Sequence, residues 1–88
     1  MDVTLPALVD LDCASSLREQ LLAALAGGDS VTLDCAAVER IDTAGAQVLL
    51  AFLADMGAKG SSVRWSEVGP AARASVARLG LTARLALT

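Results

Sequence analysis

Short strand-like segments alternate with longer helical segments along this chain. The extended segments cover residues 3–9, 30–35 and 62–68, where β-branched residues lie between turn residues. A stretch with apolar residues at helical spacing follows each of them. Strands separated by single helices form parallel sheets with helical crossovers. The order predicts an α/β fold, with a mostly parallel or mixed β-sheet and helices packed on it, in one domain over residues 1–88.

The three predicted helices have recognisable ends. Ser16 stands at capping-box spacing from a glutamate, and Gly27–Gly28 is a typical stop for the helix it begins. The second helix is predicted from Thr43 to about Ala58. The third begins with Pro70 in its favoured first position and ends at Gly80.

Two segments have a weaker pattern. Residues 36–41 are predicted to be a connection, and residues 81–88 a turn of helix or a terminal strand. Pro6 indicates an edge position or an irregular strand for the first extended segment. In the first helix, four leucines are predicted to share the buried face: Leu17, Leu21, Leu22 and Leu25.

Composition excludes several classes of function. Apolar residues make up 55% of the chain but aromatic residues only 2%, so the core must be built from Ala, Leu and Val. The net charge of −3 argues against a nucleic-acid binder, which needs a basic face. The longest apolar run ends at Asp55, well short of the roughly 20 residues of a membrane span. The acidic start also lacks the pattern of a signal peptide, and we expect a cytoplasmic protein.

The chain offers little for catalysis or metal binding. It has no histidine, and Cys13 and Cys35 stand far apart in the sequence, so we expect no metal site, cofactor or catalytic triad. Two reduced, buried thiols are the expected state of the cysteines. Asp34 and Asp42 might form a carboxylate pair, but each also fits an ordinary role at a strand end or a helix cap. We expect a protein that is not an enzyme and has no catalytic residues.

The loop Asp42-Thr43-Ala44-Gly45 is the strongest candidate site. Asp42 or Thr43 can cap the following helix by accepting a hydrogen bond from a free backbone N–H. A loop between the carboxyl end of a strand and the next helix is also where α/β proteins usually bind ligands and partners. Gln47 lies one helical turn beyond Thr43, and with Ala46 it is predicted to extend the same surface.

A longer stretch around this loop carries a family resemblance. VERIDTAGAQVLLAFLADMGAKG, residues 38–60, resembles the signature of STAS domains, small α/β modules typified by anti-sigma factor antagonists. The order of the other predicted elements is similar over essentially the whole chain. The resemblance implies a bacterial regulator that binds another protein, an anti-sigma factor kinase, through residues 42–47.

The match of the loop to the family is incomplete. In phosphorylated antagonists the loop is Asp-Ser-Ser-Gly, and the serine directly before the glycine receives the phosphate. That position is Ala44 here, whereas Asp42, Thr43 and Gly45 match the acid, the preceding hydroxyl and the glycine. Thr43 is therefore the possible phosphorylation site, with its side chain turned about 100° away from that of position 44 by helix geometry.

Other members of the family imply other settings. The Asp-Thr-Ala-Gly loop is similar to that of the small cytoplasmic subunit of a bacterial phospholipid-transport ABC system, in which the loop threonine faces the ATPase. Some STAS proteins accompany chemotaxis components, and some bind nucleotides. The alternatives to an antagonist are thus a transport subunit and a nucleotide-binding module.

Overall fold

The computed structural model describes residues 2–27 and 30–87. Over these ranges the chain forms five strands and three helices, which confirms the predicted small α/β fold. In chain order they are β1 (Asp2–Thr4), β2 (Leu8–Val9), α1 (Ala14–Gly27), β3 (Val31–Asp34), β4 (Arg40–Ile41), α2 (Thr43–Ala58), β5 (Val63–Ser66) and α3 (Pro70–Arg78).

The strands form two parallel sheets. β3 lies between β1 and β5 in the larger sheet, with Leu33 opposite both Val3 and Trp65. β2 and β4 form the smaller sheet, in which Val9 pairs with Ile41. All of these pairs are parallel, as expected for strands joined through helices. The carboxyl ends of β2 and β4 therefore lie side by side.

The smaller sheet corrects two predictions. The first extended segment is not one strand, because it divides into β1 and β2 on either side of Pro6. The segment 36–41, predicted as a connection, contains β4. Each strand of this sheet has only two residues, too few to show an alternating pattern in the sequence.

Helix α1 begins earlier than predicted. It starts at Ala14, so Ser16 lies inside its first turn and does not cap it. Asp10 and Cys13 instead bond reciprocally in the turn before the helix. Asp10 Oδ1 accepts from the Cys13 amide at 3.2 Å, and Cys13 Sγ accepts from the Asp10 amide at 3.3 Å. This arrangement has the form of a capping box with a thiol in the glutamate position.

The ends of the helices are otherwise close to the predicted ones. α1 extends to Gly27, and the predicted stop at Gly28 lies outside the described residues. α2 has the predicted bounds. α3 has Pro70 in its first turn, and Gly80 follows its end with a φ of 69°. No helix in the described ranges is long and apolar enough to cross a membrane.

The core consists mainly of aliphatic side chains between the sheets and the helices. Leu33, Leu49 and Leu85 are completely buried, and Phe52 is nearly so. Trp65 is half-buried, and its indole N–H donates a hydrogen bond to the Leu85 carbonyl at 2.9 Å. This bond connects the segment 81–87 to β5. The segment forms hydrogen-bonded turns and not the terminal strand that was the alternative prediction.

The buried face of α1 is narrower than predicted. Leu17 and Leu21 are buried and Leu25 is half-buried, but Leu22 is 44% exposed. The prediction that all four leucines share the buried face is therefore wrong for Leu22. Its side chain instead borders a groove beside α2.

Candidate functional site

The candidate loop begins where β4 ends. Asp42 is extended, with φ −95° and ψ −179°, and its Oδ1 accepts a hydrogen bond from the Gly45 amide at 2.9 Å. Its carbonyl accepts from the Ala46 amide at 2.9 Å. Asp42, one of the two residues predicted as the cap, is thus the N-cap of α2, and its carboxylate lies at the positive end of the helix dipole. The Thr43 hydroxyl is not needed for capping.

Gly45 lets this helix start approach the smaller sheet very closely. A Cβ at this position would overlap the carbonyl oxygen of Val9 and lie 2.7 Å from the Val9 carbonyl carbon and Cγ1. The same Val9 oxygen accepts a hydrogen bond from the Asp42 amide at 3.0 Å. Two contacts therefore hold the first turn of α2 against β2, and only glycine allows the closer one.

This packing decides which loop residues face solvent. Thr43 and Gln47 are exposed, and Asp42 and Ala44 are half-buried. Gly45 and Ala46 are buried, with Ala46 fully inaccessible. The prediction that Ala46 lies on the exposed surface is therefore wrong, and Gly45 serves packing. Thr43 and Gln47, four residues apart on one helix face, form what we call the α2 surface.

An apolar groove adjoins the α2 surface on one side. It has a volume of about 300 Å³ and runs between α1 and α2. Leu22 and Val48 contribute apolar side chains to its lining, and Gln47 belongs to both the groove and the α2 surface. The groove could not be predicted from the sequence, because the spacing of Leu22 predicts a buried side chain.

A more polar cavity of about 530 Å³ adjoins the loop at α3. Thr43 and Asp42 line it together with Arg40, Ser75 and Arg78. Two segments far apart in the sequence, residues 40–43 and 75–79, supply the lining, so sequence spacing gave no sign of the cavity. The more polar lining of this cavity distinguishes it from the apolar groove.

The acidic residues considered as a catalytic pair have structural roles. Asp34 Oδ1 accepts a hydrogen bond from the Ala36 amide at 2.9 Å, which closes a turn after β3. Asp42 caps α2. Among residues 2–27 and 30–87, no group of three or more His, Cys, Asp or Glu side chains is placed to hold a metal ion.

The two cysteines are free and differ in environment. Cys35 is buried, whereas Cys13 is half-buried, so the expectation of two buried thiols is correct only for Cys35. Burial, and then the negative charge of Asp34, raises the pKa of the Cys35 thiol from 9.0 to about 11. A thiol that stays protonated is a poor nucleophile and a poor metal ligand.

Comparison with known families agrees with this architecture. The family model described as "Mlab, STAS domain" matches residues 1–87. No curated protein matches the chain in sequence. Because the family model covers nearly the whole chain, the chain belongs to the STAS domain family.

Proposed function

We propose that this STAS domain is a non-enzymatic interaction module of the anti-sigma factor antagonist kind, which binds a partner protein through the α2 surface. One observation carries the proposal. Thr43 and Gln47 are exposed on a helix start that Gly45 holds against Val9. A backbone that is already held in place loses little conformational entropy on binding, which favours recognition through a few residues.

The residues next to the α2 surface also suit a protein partner. Leu22 is exposed in the adjoining groove. Leu11, in the turn after β2, is 72% exposed at the edge of the smaller sheet from which α2 also starts. Exposed aliphatic side chains beside a small polar patch give a partner apolar area to cover.

The proposal includes the absence of catalysis and a cytoplasmic location. The reason to propose no catalysis is the sequence, which has no histidine and two well-separated cysteines. The proposed partners, an anti-sigma factor kinase or an ABC transporter ATPase, both work in the cytoplasm, and the module would meet them there. We propose no nucleic-acid partner, because the chain carries a net charge of −3.

A second candidate is a fixed subunit that binds a transport ATPase. Ala44 supports this candidate, because it has no hydroxyl and is half-buried at the position where phosphorylated antagonists carry the acceptor serine. A module without that acceptor would keep one binding state. Phosphorylation at the exposed Thr43 would favour the antagonist instead, since a phosphate there adds charge beside Asp42.

Affinity capture from the native lysate tests both candidates. We expect the wild-type chain to recover an ATP-binding protein and Thr43→Glu to lose it. A kinase in the capture supports the antagonist, and a transporter ATPase supports the fixed subunit. The intact mass of the recovered wild-type chain shows whether Thr43 carries phosphate.

The matched control for this experiment is Ser16→Glu. Ser16 is also an exposed hydroxyl in the first turn of a helix, and it lines a different cavity, beside β1. Equal recovery of the partner by wild type, Thr43→Glu and Ser16→Glu would show that the α2 surface is not the interface.

A further inference from the structure

We propose that the apolar groove between α1 and α2 is the interface of a symmetric homodimer, in which a second copy of this chain covers Leu22. The groove has a volume of about 300 Å³. Gln47 belongs to both the groove and the α2 surface, but Thr43 does not line the groove. This inference goes beyond partner binding through the α2 surface, because it requires only the chain itself.

The lining of the groove follows one face of each helix for about two turns. α1 contributes residues from Arg18 to Leu25, and α2 contributes residues from Gln47 to Asp55. Seven or eight helical residues span about 10–12 Å. Lys59, which follows the end of α2, donates a hydrogen bond from Nζ to the Leu25 carbonyl in the last turn of α1, at 2.7 Å. Both helices therefore end at the same end of the groove and run along it in the same direction.

Arg18 and Asp55 are the charged residues of this lining, and they lie at opposite ends of it. Arg18 is in the second turn of α1, whereas Asp55 is in the last turn of α2. Both are exposed, and neither side chain forms an ion pair in the part of the chain that the structure describes. Lys59, four residues after Asp55, instead donates to the Leu25 carbonyl. Both charges are therefore available to an occupant of the groove.

This arrangement of charges is complementary to itself under a two-fold rotation. In a symmetric dimer, each contact between two different residues occurs twice with the copies exchanged. A two-fold axis through the middle of the groove, perpendicular to the helices, brings the Arg18 end of each copy to the Asp55 end of the other. Two Arg–Asp pairs then form together, and a guanidinium group binds a carboxylate through paired hydrogen bonds. The charges of the groove therefore fit a second copy that runs in the opposite direction.

The middle of the groove provides apolar contact area for the same dimer. Leu22 is 44% exposed, Ala51 is exposed and Val48 is half-buried. Leu22 lies midway between Arg18 and Leu25, so the Leu22 side chains of the two copies would meet near the axis and cover Ala51. Two turns of two helices give a small contact, and each copy carries a net charge of −3. We therefore expect a weak dimer that depends on its end pairs.

Charge reversal tests the pairing, by sedimentation equilibrium of the purified full chain at concentrations into the millimolar range. We expect the wild type to dimerise and Arg18→Asp to dimerise at least about tenfold more weakly, because two attractive pairs become repulsive. Asp55→Arg should have the same effect for the same reason. Arg84→Asp is the matched control for Arg18→Asp, since it changes the net charge equally and Arg84 is exposed outside the groove. Its dimerisation should equal that of the wild type.

A mixture of Arg18→Asp with Asp55→Arg tests the two-fold geometry itself. In the mixed dimer one copy has acidic groups at both ends of its groove and the other has basic groups at both ends, so both pairs are attractive again. We expect a mixed dimer at concentrations at which neither variant dimerises alone. Absence of a mixed dimer, with both variants folded by circular dichroism, would contradict the pairing of Arg18 with Asp55.

Leu22→Gln provides a test that does not depend on charge. We expect it to weaken the dimer, whereas Leu8→Gln should not, because Leu8 is 52% exposed but lies outside the groove. A wild type that stays monomeric into the millimolar range would overturn the proposal and leave the groove to a different protein. Equal weakening by Arg18→Asp and Arg84→Asp would overturn it too. These measurements contain only this chain, so the dimer and the partner interface can fail separately.

Discussion

Gly45 at the start of α2 lies against the carbonyl of Val9 in β2, closer than any side chain would allow. This contact joins the smaller sheet to the helix that presents Thr43. It explains why the loop needs glycine at this position: α2 could not otherwise lie so close to β2. The contact buries Gly45 and Ala46, and Thr43 and Gln47 therefore face outward.

Replacing Gly45 by alanine should destabilise the domain. The new Cβ would overlap the Val9 carbonyl, so the helix must move away from β2. We expect the free energy of unfolding to fall by about 1–3 kcal/mol. Urea denaturation followed by circular dichroism measures the change.

Gly57→Ala is the matched control for that experiment. Gly57 lies in the same helix, and a Cβ there would meet no atom within 4 Å. Alanine at this position should therefore stabilise the domain by about 0.5–1 kcal/mol. Similar effects of the two substitutions would contradict the close approach of Gly45 to Val9.

The cap of α2 makes a separate contribution to stability. Asp42→Ala removes the acceptor of the Gly45 amide. We expect the free energy of unfolding to fall by about 1 kcal/mol. Asp42→Asn should retain most of the wild-type stability, because its side-chain oxygen can still accept the bond. Glu39→Ala, an exposed acid just before β4, is the control for the loss of charge. If Glu39→Ala cost as much as Asp42→Ala, the effect would not come from capping.

Cys35 gives the domain a pH dependence in the alkaline range. Its pKa is raised to about 11 in the folded state by burial and by the charge of Asp34, against an ordinary value of 9.0. Between these values the unfolded chain releases the proton and the folded chain keeps it. The free energy of unfolding is therefore unaffected by this thiol below pH 9 and falls as the pH rises from 9 towards 11.

Urea denaturation across this pH range should show the fall in the wild type and in Cys13→Ala. In Cys35→Ala, the part of this fall that comes from ionisation of the Cys35 thiol should be absent. An identical pH dependence of Cys35→Ala and wild type would show that another group is responsible. A thiol reagent at pH 8 should also leave Cys35 unmodified in the folded chain, because it is buried and protonated.

Much of the fold could be predicted because its helices are long and periodic. α2 and the central strand β3 have close to their predicted bounds. β4 could not be predicted, because two residues carry no period and their pairing with β2 is a tertiary contact. The start of α1 was not predicted, because the turn before it is closed by the Asp10–Cys13 pair, in which a thiol stands where a capping box has glutamate.

The candidate site shows the same division. The cap of α2 is local, and the sequence predicts that Asp42 or Thr43 forms it. The burial of Ala46 is not local, since it depends on how closely Gly45 approaches Val9. Arg40 and Ser75 were missed for a similar reason: they are far apart in the sequence and only the fold brings them to one cavity.

Site-specific photocrosslinking to the captured partner tests the central claim most directly. A photoreactive side chain would be placed singly at Thr43 and Gln47 on α2, and at Ser16 and Gln20 on α1. Each pair consists of a hydroxyl residue in the first turn of its helix and a glutamine four residues later, and all four residues are exposed. We predict partner adducts from positions 43 and 47 and none from positions 16 and 20. Adducts from all four positions, or from the α1 pair alone, would contradict the assignment of the interface to the α2 surface.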